Sequence, residues 1–107
     1  MIASHPSVVV CGPASWNHLV YLESLPEPVP HMQFALSDTH VLGGTSSGKA
    51  LHLTGLGVPT TLHAFLGADE EGRIAESALS GAGVRVVPHR SARTERHLNL
   101  MTQAGSA

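Results

Sequence analysis

The chain has 107 residues, 42% of them apolar, which is the size of one small domain with a single core. Its formal net charge is −2, and its six lysine and arginine residues have no aromatic residues interleaved with them, which argues against nucleic-acid binding. Cys11 is the only cysteine, so an internal disulfide is excluded. No apolar run approaches the ~20 residues of a membrane span, and the N-terminus lacks the features of a signal peptide. The sequence therefore predicts a cytoplasmic protein with no nucleic-acid or membrane partner.

The first part of the chain contains one clear strand and one weaker strand pattern. Residues 7 to 11 (SVVVC) form a short apolar and β-branched run, typical of a strand buried in a parallel sheet. Three prolines, at positions 26, 28 and 30, then interrupt regular structure. Residues 31 to 42 alternate imperfectly between apolar and polar side chains. This alternation predicts an antiparallel flap that covers something on one face.

A helix and a second strand follow the flap. Thr45 or Ser46 is a candidate N-cap for a helix running to about Leu56, where Gly57 ends it. Residues 60 to 66 then form an apolar, β-branched run. The pattern predicts a helix followed by a buried strand.

The next segment predicts a second helix and a third strand. Asp69 is placed to cap a helix whose first turn contains Glu70 and Glu71, two acidic residues that suit the positive end of the helix dipole. An apolar stripe along this helix faces the core. Residues 84 to 88 then form the third predicted buried strand.

This order of elements predicts an α/β fold, a parallel sheet flanked by helices with a small β flap. The alternating residues 96 to 103 predict a second flap strand, and nothing follows that could pair with it. Three parallel strands would also leave apolar edges open. We therefore expect residues 1 to 107 to be the N-terminal portion of a longer domain.

The stretch LGGTSSGKALHLTGLG, residues 42 to 57, fits two enzyme motifs imperfectly. It nearly matches the phosphate loop G-x-x-x-x-G-K-[ST], but Ala50 follows Lys49 where a metal-binding hydroxyl is needed. It also contains the G-x-S-x-G of a hydrolase nucleophile elbow, with Ser46 as nucleophile and Asp69 and a later histidine as partners. Asp69 is already explained as a helix cap, so the sequence favours neither motif.

The order of the segments resembles the first third of the ribokinase-like (PfkB) carbohydrate kinases. The resemblance covers about residues 8 to 105. Its most specific parts are the Gly43-Gly44 pair followed by GKALHLTGLG, and FLGADEEGRIAESALSGAGV, which resembles the G-x-D-x-x-G segment of the family with Gly67, Asp69 and Gly72 in register.

The resemblance implies a sugar-binding site at defined positions of this chain. The family holds a sugar hydroxyl through a carboxylate near the end of the first strand, and here that position is Asn17. The usual asparagine of the following helix is Gly48 here, so an expected side-chain contact is missing. The residues that the resemblance assigns to substrate binding are Ser15, Asn17, Gly43, Gly44, Thr45, Gly48 and Asn99.

The resemblance also implies the activity of the complete protein, an ATP-dependent transfer of a phosphoryl group to a sugar or nucleoside hydroxyl. ATP and Mg²⁺ are expected there, whereas this chain alone should bind neither, because the ATP-binding half and the catalytic Asp of a late G-A-G-D segment are absent. The lid strands could also form a homodimer. The alternative is a non-catalytic α/β binding or dimerisation module. The histidines show no paired metal-ligand spacing, so no metal site is expected.

Overall fold

The computed structural model describes residues 7 to 102, which form two helices and six strands. The elements in chain order are β1 (Val8–Cys11), β2 (Ser15–Leu22), β3 (Ser37–Gly43), α1 (Thr45–Gly55), β4 (Thr60–Gly67), α2 (Glu70–Gly81), β5 (Arg85–Ser91) and β6 (Glu95–Thr102).

The strands β1, β4 and β5 form a parallel sheet in the order β1-β4-β5. Val8 is paired with Thr60, and Thr61 is paired with Arg85. The α/β fold and the parallel arrangement of the three apolar strands are therefore confirmed. Short apolar, β-branched runs made these strands recognisable, since such residues favour strands.

Both helices pack on one face of this sheet and form the core with it. Along β4 the side chains alternate, so that Leu62, Ala64 and Leu66 are buried under the helices while Phe65 points the other way and is 69% exposed. The buried core cluster consists of Ala14, Ala50, Leu62, Ala64, Leu66, Ala75, Leu79 and Val84.

The remaining strands form a second sheet, here called the lid sheet, in the order β3-β2-β6. Strand β2 is antiparallel to β3 and parallel to β6. The sequence predicted the two outer strands of this separate sheet but not β2, which lies between them and pairs with both. The polar Asn17 and His18 interrupt the apolar pattern of β2, and the pattern therefore did not reveal the strand.

The predicted lid boundaries also need correction. Strand β3 begins at Ser37, and residues 31 to 36 are outside any strand. These residues follow three prolines, which cannot donate to a ladder. The predicted end of the last strand, residue 103, lies outside the described residues.

The two helices begin differently. Asp69 caps α2, since its carboxylate accepts a hydrogen bond from the Gly72 backbone N–H at 2.8 Å, as predicted. The predicted cap of α1 by Thr45 or Ser46 is wrong: the N-cap is Gly44, with no side-chain cap bond among the described residues.

In that part of the chain, residues 7 to 102, neither helix is long and apolar enough to cross a membrane.

Candidate functional site

Five of the seven predicted sugar-binding residues lie where the lid sheet joins the α/β layer. Ser15 is fully buried at the start of β2, and its hydroxyl donates to Asn17 Oδ1 at 2.7 Å. Ser15 is paired in register with Gly43, the last residue of β3. The hydrogen bond fixes the orientation of the Asn17 amide, because an oxygen that accepts from Ser15 leaves the NH₂ group to point elsewhere.

Gly43 leaves the space that the Asn17 amide occupies. A Cβ atom at position 43 would lie 2.2 Å from Asn17 Nδ2 and 2.7 Å from Asn17 Oδ1, far inside contact distance. The obstacle is the end of a side chain and not backbone, so a larger residue would displace the amide. Gly43 is therefore required for the position of Asn17.

Gly44 has a different requirement. Its φ is +97°, a conformation that favours glycine, and a Cβ atom there would lie 2.5 Å from the Pro13 carbonyl oxygen. It is followed directly by α1, whose first backbone N–H groups have no intrahelical acceptor. Thr45 is exposed at this helix start, and no acidic side chain lies in the first turn. The first backbone N–H groups of α1 thus follow directly after Gly43 and Gly44, with no side-chain cap bond at Gly44 in the described part of the chain.

Asn99 lies on β6, on the same face of the lid sheet as Asn17. Asn99 is paired with Leu19, and Asn17 is paired with His97, so strand alternation puts both asparagines on one side. Asn99 Oδ1 is buried and has no hydrogen-bond partner in the described part of the chain. A buried acceptor of this kind is normally satisfied by water, by a ligand or by rotation of the amide.

Gly48 is the predicted site residue with the fewest neighbours. It is exposed on α1, and a Cβ atom there would meet nothing within 4 Å among the described residues. No steric reason thus keeps a side chain from this position. Five of the seven predicted residues, Ser15, Asn17, Gly43, Gly44 and Thr45, are consecutive or paired at the lid junction, whereas Gly48 lies one turn into α1 and Asn99 on the far strand β6.

The G-x-D-x-x-G segment has a structural explanation that involves Thr94, a residue the sequence did not single out. Thr94 is buried in the connection between β5 and β6. Its hydroxyl donates to Asp69 Oδ1 at 2.5 Å and accepts from the Gly67 backbone N–H at 3.0 Å, and its own N–H donates to Asp69 Oδ2 at 2.8 Å. This network joins the end of β4 and the start of α2 to the base of the lid strand β6.

Both glycines of the segment are needed because Thr94 and its neighbours approach so closely. A Cβ atom at Gly67 would lie 2.6 Å from the Thr94 nitrogen, and one at Gly72 would lie 2.2 Å from the Gly67 carbonyl oxygen. The sequence spacing identified Gly67, Asp69 and Gly72, but nothing in it pointed to Thr94, which follows Asp69 by 25 residues.

The network also changes the acidity of Asp69. The hydrogen bond from the Thr94 hydroxyl, helped by the backbone N–H groups of Thr94 and Gly72, lowers the pKa of Asp69 from 3.8 to about 2. These donors favour the charged carboxylate. Asp69 is therefore an ionised structural group at neutral pH and is not arranged as a general acid.

The two enzyme motifs in residues 42 to 57 are not assembled as active sites. Ser46 is 5% exposed, and its hydroxyl donates to the Cys11 carbonyl oxygen at 3.5 Å. Asp69 is bonded to Thr94 and Gly72, with no histidine among its partners in the described residues. The strand before the near phosphate loop is β3 of the lid, and Ala50 is buried at the position that would need a hydroxyl.

The fold matches solved structures of sugar kinases. The microbiome-derived acarbose kinase Mak1 is 31% identical, with a TM-score of 0.82 over 97% of this chain and 35% of its own. A ribokinase from Cryptococcus neoformans var. grubii serotype A in complex with ADP is 18% identical, with a TM-score of 0.83 over 97% of this chain and 32% of its own.

A third match is the tetrameric inhibited form of phosphofructokinase-2 from Escherichia coli, 16% identical, with a TM-score of 0.76 over 94% of this chain and 33% of its own. No protein-family model matches the chain, and no curated protein sequence matches it. The chain spans about a third of the length of these structures. On this evidence, the chain has the fold of the N-terminal third of the ribokinase-like (PfkB) carbohydrate kinases.

Proposed function

We propose that this chain is the substrate-binding and lid portion of an ATP-dependent carbohydrate kinase, with a sugar held between the Asn17 face of the lid sheet and the start of α1. The observation that carries the proposal is the arrangement of Ser15, Asn17 and Gly43, in which a buried hydroxyl orients an amide over a glycine that leaves room for it. The match to an acarbose kinase at 31% identity supports a sugar rather than a nucleoside.

The residues present are suited to binding a hydroxylated ligand. The Asn17 amide can donate and accept, Gly43 and Gly44 expose backbone, and the N–H groups at the start of α1 offer further donors. Because the amide of Asn17 is neutral, it recognises hydroxyls through the geometry of its hydrogen bonds and not through charge. This chain's share of the reaction is therefore to hold the sugar and exclude water from it.

The near phosphate loop of this chain lacks the groups that would hold ATP and Mg²⁺. Lys49 is exposed on α1, and no hydroxyl follows it, since the next residue is the buried Ala50. ATP, when bound by the complete protein, supplies the phosphoryl group that is transferred. We propose no step of that transfer for residues 7 to 102, and the homodimer through the lid stays a prediction.

The test uses the complete protein and a matched pair of glycine variants. Gly43→Ala should displace the Asn17 amide with little effect on folding, because the Cβ atom meets only the end of a side chain. Gly55→Ala, at the end of α1 and outside the predicted sugar-binding residues, meets nothing within 4 Å of the described residues and is the control. Phosphorylation of a panel of sugars identifies the substrate, and KM for that sugar and for ATP is then measured for both variants.

We expect Gly43→Ala to raise the sugar KM while the KM for ATP and the thermal midpoint stay close to the parent values. Asn17→Ala should weaken sugar binding by about 1–3 kcal/mol, the usual cost of leaving buried polar partners unpaired. Asn17→Asp should retain sugar binding better than Asn17→Ala, because a carboxylate also accepts from sugar hydroxyls. The assignment fails if Lys49→Ala abolishes ATP binding while Gly43→Ala and Asn17→Ala leave the sugar kinetics intact.

A further inference from the structure

Three potential metal ligands converge on the face of the lid sheet opposite Asn17. His18 on β2 is paired in register with His40 on β3, and Asp38 lies two residues before His40 on the same face. One ligand atom from each of the three side chains lies within 4.8 Å of the other two. Sequence spacing did not predict the cluster, because His18 on β2 precedes Asp38 and His40 on β3 by 20 or more residues.

The side chains are already held in a compact arrangement. His18 Nε2 and Asp38 Oδ2 are 2.7 Å apart, in a contact where the carboxylate accepts from the ring. The rings of His18 and His40 are stacked with centroids 4.2 Å apart and planes within 8°, and Trp16 stacks on His40 at 6.1 Å. The stacking brings the two imidazole rings together across β2 and β3 before any ion binds.

The spacing agrees with what a small divalent cation requires. Ligand atoms placed tetrahedrally at about 2.0–2.1 Å from Zn²⁺ are about 3.3 Å from one another. The separations in the cluster, from 2.7 Å up to less than 4.8 Å, lie on both sides of this value. The ligand atoms must therefore shift on binding, and one of the two parallel imidazole rings must turn so that both nitrogen lone pairs point at one ion. Arg96 lines the same depression, and its charge is opposed by Glu71 Oε2 at 3.5 Å.

We propose that His18, Asp38 and His40 bind a divalent first-row transition cation, with Zn²⁺ as the probe. Two imidazoles and one carboxylate are a ligand set that Zn²⁺ and its neighbours accept, and three protein ligands leave at least one position open. His18 and Asp38 are 38% and 56% exposed, so the cation reaches the site from solvent. The bound ion clamps β2 to β3 from the face that the sugar does not use.

The test is titration of the complete, tag-free protein with Zn²⁺ against a competing chelating dye. We expect one ion per chain and a loss of affinity of at least about tenfold in His18→Ala, His40→Ala and Asp38→Asn, as expected for disruption of a metal's immediate environment. His52→Ala, which removes an exposed histidine on α1 remote in sequence from the cluster, is the control and should bind as the parent does.

Substitution by Co²⁺ identifies the ligands independently of affinity, since its visible absorption depends on them. The absorption spectrum should change in His40→Ala and stay unchanged in His52→Ala. Circular dichroism verifies that each variant is folded. The proposal is wrong if the parent protein, present in 100-fold excess over a chelating dye of micromolar affinity, takes no Zn²⁺ from the dye. It is also wrong if all folded variants bind Zn²⁺ with the parent's affinity and stoichiometry.

Discussion

The α/β layer and the lid sheet follow different rules in this molecule. Every residue of the buried core cluster lies in the α/β layer except Ala14, which lies at the junction with the lid sheet. By contrast, β3 and much of β6 are exposed. The first region is held by apolar packing, and the second by ladder hydrogen bonds and by the Thr94 network at its base. Substitutions should therefore affect stability in the first region and ligand binding in the second.

The largest contrast is between two leucines. Leu62→Ala should lower the free energy of unfolding by about 2–5 kcal/mol, because it opens a cavity at a fully buried position of β4. Leu98→Ala on β6, where the side chain is 64% exposed, should change it by less than about 0.5 kcal/mol. Urea unfolding of the parent and both variants measures the difference. Equal costs would mean that the lid is packed as tightly as the core.

The connection between the two regions should be the next most sensitive place. Gly67→Ala puts a Cβ atom against the backbone of Arg93 and Thr94, and overpacking of this kind costs about 1–3 kcal/mol. Gly81→Ala, at the end of α2, meets nothing within 4 Å of the described residues and is the control. Denaturation midpoints compare the two. If Gly67→Ala lowered the denaturation midpoint no more than Gly81→Ala does, β6 would be able to move away from β4 without loss of stability.

The same connection predicts a pH dependence. Because the folded state lowers the pKa of Asp69 from 3.8 to about 2, its contribution to stability is present above pH 3.8 and is lost as the pH falls towards 2. Thr94→Val removes the hydroxyl donor and should raise the pKa of Asp69 towards 3.8, while Thr94→Ser keeps it low. A carboxyl NMR titration follows Asp69 directly. An unchanged pKa in Thr94→Val would contradict the assigned cause.

The smallest effect, apart from the comparison substitutions at Leu98 and Gly81, is expected at Gly48. Alanine there should stabilise the chain by about 0.5–1 kcal/mol, since glycine inside a helix costs that much relative to alanine and the site has space for the methyl group. Thermal unfolding measures the gain. A loss of stability would mean that the surface of α1 at Gly48 is covered in the protein as it exists.

The same contrast explains how much could be predicted from the sequence. The runs VVVC and TTLHAFLG predicted β1 and β4, because they are short and rich in apolar and β-branched residues, which favour strands. Asp69 was recognisable as a cap from the acidic turn that follows it. Strand β2 was not recognisable, because neither of its faces shows a continuous apolar pattern. Asn17 contacts Ser15 on one face of the lid sheet, and His18 contacts Asp38 on the other.

Sites assembled from distant residues escaped prediction for a similar reason. Ser15, Asn17 and Gly43 were assigned through a family resemblance, but their contact depends on the β2–β3 register. Thr94 and Asp69, and His18 and His40, come together only when the strands pair. No local pattern of residue types contains that information.

Hydrogen exchange of the complete protein, with and without the sugar that it phosphorylates, tests most directly whether a carbohydrate lies between the lid and α1. The N–H groups at the start of α1 have no intrahelical acceptors, so a bound sugar should slow their exchange markedly. We predict protection in peptides that cover residues 15 to 22 and 43 to 50, and loss of that protection in Asn17→Ala. Protection confined to β1, β4 and β5 at saturating sugar would contradict the proposed site.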